Sequence, residues 1–364
     1  MKHFGINLES LEIGFMPSKI LDCAVIGDNF MRPEMFAKAI TQLCGDAVSL
    51  RLKTLSWPDE PMEHGYAHPG LDGLKEYQGN PDEIADFVGN AEILVTQLAP
   101  VSAAMLPRMP RLQLIAVSRG GPVNIDIQAA RLRQIRVVNA PGRNASAVAE
   151  FTIGAILAQT RLIGAGHDAL RVGDWRGDLY RADRTGRELS EMTVGLIGYG
   201  QVGTRVVKLL KPFGCRILVH DPYVSLSAGD IEDGVMEVSL TQLLAESDIV
   251  SLHPRVTAET TGMMNASRLA AMKPGSYLIN TARGPLLDYQ ALVEVLRQGR
   301  LAGAALDTFG IEPIPADWTL LKLPNVTLTP HIAGASVRTV TVAAEMVAEE
   351  VRRFLVGEQP CNAC

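Results

Sequence analysis

The sequence predicts an α/β protein of two domains, each built on a parallel sheet, and three observations predict it. Short apolar runs alternate with helix-period segments from end to end, the pattern of strand–helix–strand units. The 364 residues are enough for two domains at roughly 100 to 200 residues each. A glycine-rich run at residues 195–203 closes one predicted strand and opens a helix.

Taken in order, the first series places strands at 20–27, 49–55, 92–98 and 112–118, with helices at about 33–43, 82–90 and 126–134. Asn139, Pro141 and Gly142 then interrupt the pattern as a hinge. Residues 146–171 read as one long helix, apolar around most of its circumference, which something must cover. A helix of that length reaches roughly 39 Å, more than one small domain, so a core helix and a subunit interface fit equally and a homodimer through 146–171 is expected. The second series places strands at 193–198, 215–220, 248–252, 276–280, 302–306 and 326–329, with helices at about 201–212, 240–246, 265–272 and 288–298. A last helix over 336–358 would return to the first domain. The expected boundaries are therefore 1–140 plus 336–364 for one domain and 141–335 for the other.

Composition narrows the function. The chain is 47% hydrophobic and 20% charged, which excludes disorder and coiled coil. A net charge of −6 with no basic block gives nucleic acid no electrostatic footprint, so small molecules are the expected partners. The longest stretches without Lys, Arg, Asp or Glu, 93–107 and 323–337, are too short for a spanning helix, and no leader is read at residues 1–14; no membrane partner is expected. Cysteines at 23, 44, 215, 361 and 364 are too scattered for a disulfide framework, and a reducing cytoplasm is the expected location. Cys361 and Cys364 have dithiol spacing but end a tail instead of opening a helix.

Gly198, Gly200 and Gly203 fall in GxGxxG spacing between a strand and a helix. That context supplies a tight turn, close backbone approach to a pyrophosphate and helix N–H groups facing its charge. The next strand ends at Asp221, where a carboxylate can accept from both ribose hydroxyls and repels a 2′-phosphate. NAD is the expected cofactor. Four further polar residues, His253, Arg283, Asp307 and His331, stand at the ends of successive strands of this series, where parallel sheets bind ligands.

The motifs Asn280-Thr-Ala-Arg283-Gly284, Asp307-Thr-Phe-Gly-Ile-Glu312-Pro313 and Pro330-His331-Ile-Ala-Gly334, with the lead-in Leu323-Pro-Asn-Val326 and His220-Asp221-Pro-Tyr223, closely resemble the D-isomer-specific 2-hydroxyacid dehydrogenases. The resemblance covers essentially the whole chain, with the motifs in the family's order. It implies a Rossmann coenzyme domain inserted into a flavodoxin-like substrate domain, an active site in the cleft between them, and interconversion of a D-2-hydroxy acid and its 2-keto acid with NAD. By the same resemblance Arg283 holds the substrate carboxylate, His331 is the acid/base and Glu312 is its partner. The physics agrees: a guanidinium fork matches a carboxylate, and an imidazole next to Glu312 can carry a proton near neutrality with its tautomer fixed. The resemblance also places Gly198, Gly200, Gln201, Val202, Gly203, Asp221, His253, Pro254, Thr281, Ala282, Asp307 and Gly334 around the coenzyme, Asp307 near the nicotinamide carboxamide. It sets Arg119, Gly120 and Gly121 against the substrate carboxylate. No metal is implied.

The chain departs from the family at Pro254-Arg255, where the usual order is one residue and then proline. Proline removes a backbone donor, so a coenzyme contact there must use the carbonyl. Arginines 171, 176, 181, 184 and 187, interleaved with Trp175 and Tyr180, read as a solvated arm or, more sharply, as donors for a phosphorylated substrate in a partner subunit. The function alternative is an NAD(H)-responsive corepressor-type binding protein on the same fold, against which the intact Arg283, Glu312 and His331 set argues.

Overall fold

The computed structural model describes residues 19–56, 70–71 and 73–364, so the stretch read for a leader lies outside the described residues. These residues form two units. One holds the described residues up to Pro141 together with Ala343–Cys364, and the other holds Gly142–Val342.

The first unit runs β1 (Leu21–Gly27), α1 (Pro33–Cys44), β2 (Val48–Thr54), α2 (Pro81–Val88), β3 (Ile93–Thr96), β4 (Leu114–Val117), α3 (Ile127–Leu132) and β5 (Arg136–Val138). Its sheet order is β2-β1-β3-β4-β5, all parallel. That is the flavodoxin-like order. β3 and β4 are buried at every residue, as strands covered on both faces must be. Local signals set the helix starts: Pro33 and Pro81 lie in the first turn, and the Asn80 side chain accepts the N–H groups of Asp82 and Glu83. Sequence periodicity missed β5 because three residues are too few to show a period.

The second unit runs α4 (Ala145–Thr160), α5 (Ile163–Arg171), β6 (Thr193–Ile197), α6 (Gly203–Leu210), β7 (Arg216–His220), α7 (Ala228–Glu232), β8 (Met236–Glu237), α8 (Leu240–Glu246), β9 (Ile249–Leu252), α9 (Ala266–Ala271), β10 (Ser276–Asn280), α10 (Tyr289–Arg297), β11 (Leu301–Leu306) and β12 (Val326–Leu328). The sheet order is β12-β11-β10-β9-β6-β7-β8, again parallel throughout. Strand order reverses between β6 and β9, the switch point at which Rossmann sheets open a crevice. Alternation along β6 feeds two cores: Val194 and Leu196 pack with Ile156, Val206 and Leu210, whereas Ile197 packs with Leu243, Leu252 and Leu278.

The expected single helix over 146–171 is two helices, bent by 66°. Leu162 between them has φ +56°, a left-handed conformation that no continuous α-helix of L-residues accepts. α4 belongs to the interior of its unit. Its Gln159 donates to the Asn325 carbonyl (2.6 Å) and accepts from Thr327 Oγ1 (2.8 Å), fastening it to the loop before β12 and to β12 itself. The unpartnered apolar surface lies beyond the bend instead, where Leu170, Val172, Trp175 and Tyr180 are exposed. Among the described residues no single helix is long and apolar enough to cross a membrane.

α11 (Val337–Leu355) starts in the second unit and ends in the first, so the boundary falls inside it and not ahead of it at 335/336. Glu350, 2% exposed, then pins the tail by accepting the N–H groups of Cys361 (3.2 Å) and Asn362 (2.9 Å) and the Asn362 amide (2.9 Å). Asn362 O accepts Asn139 N–H and Cys364 N–H donates to Val137 O, laying the tail antiparallel along β5. That covers the sheet edge.

Candidate active site

Gly198 ends the turn after β6 with φ +98°, and a Cβ there would come within 2.9 Å of the backbone of His253 and Pro254. Only glycine fits. Gly200 has open space around it, Gly203 begins α6, and Val202 precedes that helix half-buried. The Gln201 carbonyl and amide oxygen both accept from Arg205, the latter at 2.9 Å. Asp221 follows β7, and its carboxylate is fixed beside the loop by Tyr199 N–H (2.7 Å), Tyr223 N–H (2.8 Å) and Val224 N–H (3.0 Å). The Tyr199 contact was not legible in the sequence, because the donor is a backbone group of the glycine loop itself.

His253 follows β9. Its Nε2 meets Ser251 Oγ at 2.9 Å, its buried Nδ1 has no partner, and burial pushes its pKa down to about 4. The ring is neutral at physiological pH. Pro254 follows on the same loop, and the Arg255 carbonyl accepts from Thr260 Oγ1 (2.6 Å).

β10 delivers Thr281, Ala282 and Arg283. Thr152 on α4 gives its hydroxyl proton to the Val148 carbonyl (2.7 Å), so in its 2.7 Å contact with Thr281 Oγ1 it is the acceptor. The Thr281 hydroxyl is then committed as a donor and keeps only acceptor capacity. Ala282 is half-buried and its N–H is held by the Asn280 side chain (3.1 Å). The Arg283 guanidinium reaches solvent and donates to the Ala282 carbonyl (2.7 Å). Desolvation by the surrounding protein lowers its pKa, with nearby Glu312 acting in the opposite direction.

The imidazole of His331 meets Glu312 through Nδ1 and Oε2 at 2.8 Å, and the other Glu312 oxygen accepts Phe309 N–H at 2.7 Å. Phe309 is in turn fixed from two sides. Its ring packs in a cluster with Tyr289 and Trp318, and its carbonyl lies so close to Gly284 that no Cβ fits there. The residue after Arg283 thus touches the residue that holds Glu312, which brings the three expected catalytic side chains into one neighbourhood. Burial, then Glu312, pushes the Tyr289 hydroxyl pKa well above the phenolic range. Its proton stays on the hydroxyl, which donates to the Thr308 carbonyl (3.0 Å). Phe309 was inside a motif read for its charged ends only.

His331 has φ +54°, a backbone strain that persists only where surrounding contacts enforce it. Asp307, 1% exposed, directs its oxygens at that loop: Oδ1 accepts Thr329 Oγ1 (2.6 Å) and Ile332 N–H (2.9 Å), and Oδ2 accepts Ala333 N–H (2.8 Å). Three donors from its own unit thus engage the carboxylate, which retains further acceptor capacity. Gly334 packs against the Asn144 side chain at the head of α4.

In the first unit, Ser118-Arg119-Gly120-Gly121 follows β4. Arg119 donates to the Glu76 carbonyl (2.8 Å) and forms an ion pair with its carboxylate. Gly120 and Gly121 are exposed; their carbonyls accept from Asn139 Nδ2 and Val123 N–H, while no acceptor among the described residues takes their own N–H groups. The arginine arm is largely self-paired: Arg176 and Arg184 reach Asp178, Arg181 reaches Asp183, and Arg187 reaches Asp248. Exposed pairs of this kind fit the reading of a solvated arm.

The profile of the D-isomer specific 2-hydroxyacid dehydrogenase NAD binding domain matches residues 153–333. A glyoxylate reductase of Thermofilum pendens is 38% identical over 304 residues, covering 80% of this chain and 90% of that protein. A D-3-phosphoglycerate dehydrogenase of Mycobacterium tuberculosis is 36% identical over 278 residues, 76% of this chain and 52% of that one. The apo structure of D-lactate dehydrogenase from Escherichia coli superposes with a TM-score of 0.73 at 26% identity, covering 94% of this chain and 99% of that one. With this fold, this glycine loop and these relatives, the chain belongs to the D-isomer specific 2-hydroxyacid dehydrogenase family and is an NAD-dependent D-2-hydroxyacid dehydrogenase.

Proposed function

We propose that the protein reduces a small 2-keto acid such as glyoxylate or hydroxypyruvate to its D-2-hydroxy acid, with His331 as acid/base, Glu312 as its partner and Arg283 as the carboxylate clamp. The observation that carries the reading is the 2.8 Å His331–Glu312 pair in the same neighbourhood as Arg283. Glu312 accepts from Nδ1, which fixes the tautomer and assigns Nε2 to the substrate proton. In reduction His331 enters as imidazolium and protonates the ketone oxygen; in oxidation the neutral ring removes the hydroxyl proton. Glu312 stabilises the charged ring, and Phe309 N–H keeps that carboxylate in place. The partly desolvated Arg283 binds the substrate carboxylate more strongly than a fully hydrated guanidinium would.

The coenzyme, NAD, supplies or takes the hydride when bound. Its expected holders fit: bare backbone at Gly198 and Gly200 admits a pyrophosphate, Asp221 retains acceptor capacity for ribose hydroxyls, and Thr281 offers an acceptor. We accordingly assign the unit Gly142–Val342 as the coenzyme domain and the unit that ends with Ala343–Cys364 as the substrate domain. A second copy of the chain covers the apolar surface of α5 and the segment after it, giving a homodimer; light scattering coupled to gel filtration should return twice the 39.3 kDa chain mass, and the chain mass for Leu170→Glu.

The test is NADH oxidation with glyoxylate, hydroxypyruvate and 3-phosphohydroxypyruvate, in the wild type and in His331→Gln. Turnover of one or more of them by the wild type, abolished in the variant, is the expected result. An unimpaired variant would remove His331 from the chemistry.

A further inference from the structure

We infer that Tyr199 is a positioning residue for the adenosine half of the coenzyme: its buried hydroxyl anchors the glycine loop to α7, so that its backbone N–H holds the Asp221 carboxylate in register with that loop. This rests on the reading of Asp221 as the holder of the ribose.

Tyr199 is the one side chain between Gly198 and Gly200, so any tether for this part of the loop must come from it. The ring is 3% exposed and belongs to the core that includes Val206, Leu210, Val219 and Leu226. Its hydroxyl donates to Asp230 Oδ2 on α7 and accepts the N–H of Ser227 at 3.4 Å. Burial, and then Asp230, push the hydroxyl pKa up, so the proton stays where it can be donated.

Asp230 is itself held. Its Oδ2 also accepts Ser227 Oγ at 2.8 Å, and Lys211, in the turn after α6, pairs with its other oxygen. Burial opposes ionisation of Asp230, but Lys211, Tyr199 and Ser227 outweigh it and keep the carboxyl below the usual range. The bond from Tyr199 is therefore charge-assisted, stronger than one between neutral groups.

The consequence falls on Asp221. Its Oδ1 takes the N–H groups of Tyr223 and Val224, which orient the carboxylate only within its own turn. The bond from Tyr199 N–H to Oδ2, at 2.7 Å, is the one that comes from the glycine loop. Pyrophosphate and ribose belong to one ligand, so the spacing between the bare backbone at Gly198 and Gly200 and the Asp221 carboxylate must be set in advance for both to be held without further ordering. That bond sets the spacing, and the tethered Tyr199 ring keeps its donor aimed.

The experiment compares Tyr199→Phe, Asp230→Ala, their combination and Asp221→Ala in the full-length enzyme. It measures NADH affinity by fluorescence titration, ADP-ribose affinity by displacement of NADH, and kcat and KM for the best 2-keto acid at saturating NADH. We expect Tyr199→Phe and Asp230→Ala each to weaken NADH and ADP-ribose about three- to tenfold, by the same factor for both ligands, because the lost contact serves the half they share. kcat and the 2-keto acid KM should stay within about twofold of wild type. The double variant should bind no more weakly than the worse single one. NADH and ADP-ribose affinities within about twofold of wild type in Tyr199→Phe, or losses that add in the double variant, would overturn the proposal. So would a loss for NADH that ADP-ribose does not share. An Asp221→Ala variant that binds NADH as tightly as the wild type would instead overturn the reading beneath it. Tyr199→Phe keeps the ring and its packing, so it decides the matter even should Asp230→Ala not fold.

Discussion

Among the described residues Arg283 donates to its neighbour's carbonyl alone, which leaves most of its fork for a ligand. A charge-assisted hydrogen bond is worth about 1.5–3 kcal/mol, so Arg283→Ala should lower kcat/KM at least about tenfold, and Arg283→Lys should recover only part of that because an ammonium lacks the planar fork. Steady-state kinetics with glyoxylate check both. Arg283 and His331 were legible in the sequence because charge and motif spacing advertise them. Thr152, Phe309 and Thr329 were not: an uncharged residue acquires its role only when folding sets its hydroxyl or amide beside a charged one.

The loops and helices that carry these side chains are more demanding than the strands beneath them. Gly284 is the sharpest case, since any side chain there must displace Phe309, whose N–H holds Glu312. Gly284→Ala should therefore reduce kcat by about tenfold or more while leaving NADH affinity nearly intact, a split that kinetics and fluorescence titration together would resolve. Strand positions were readable to within a few residues because buried parallel strands are continuous apolar runs, as 276–280 shows. The break between α4 and α5 was not readable. Arg161 and Leu162 carry no glycine or proline signal, and the turn is enforced by tertiary contacts: Gln159 is tied to Asn325 and Thr327, so α4 must end where it meets the sheet. The short strands β5 and β8 escaped for the opposite reason, having too few residues for periodicity and depending on a neighbour for their existence.

Stability of the whole molecule should respond to acid in two stages. The first belongs to His253, whose folded pKa of about 4 lies below the ordinary 6.5. Above about pH 6.5 the ring is neutral folded or unfolded; from there down to about 4 only the unfolded chain gains the proton, so stability falls by on the order of 3 kcal/mol, a sizeable part of a typical 5–15. The second stage belongs to Asp248 and Glu92. Burial opposes ionisation of each, but ion pairs and backbone N–H groups outweigh it and hold both below the usual carboxylate range. Their stabilisation is complete above about pH 4 and is lost as pH falls further. Thermal unfolding midpoints from pH 7.5 to 4.5 should therefore decline in the wild type and decline less in His253→Gln; identical slopes would assign the first stage elsewhere.

The split of the first unit between the two ends of the chain has a consequence for biosynthesis. A ribosome delivers Gly142–Val342 in one uninterrupted stretch, so that unit can reach its native state while translation continues. The other unit must wait with β5 uncovered until Glu350 and the last residues emerge to pin the tail across it. Its earlier segments are thus the ones a nascent-chain chaperone would have to shield.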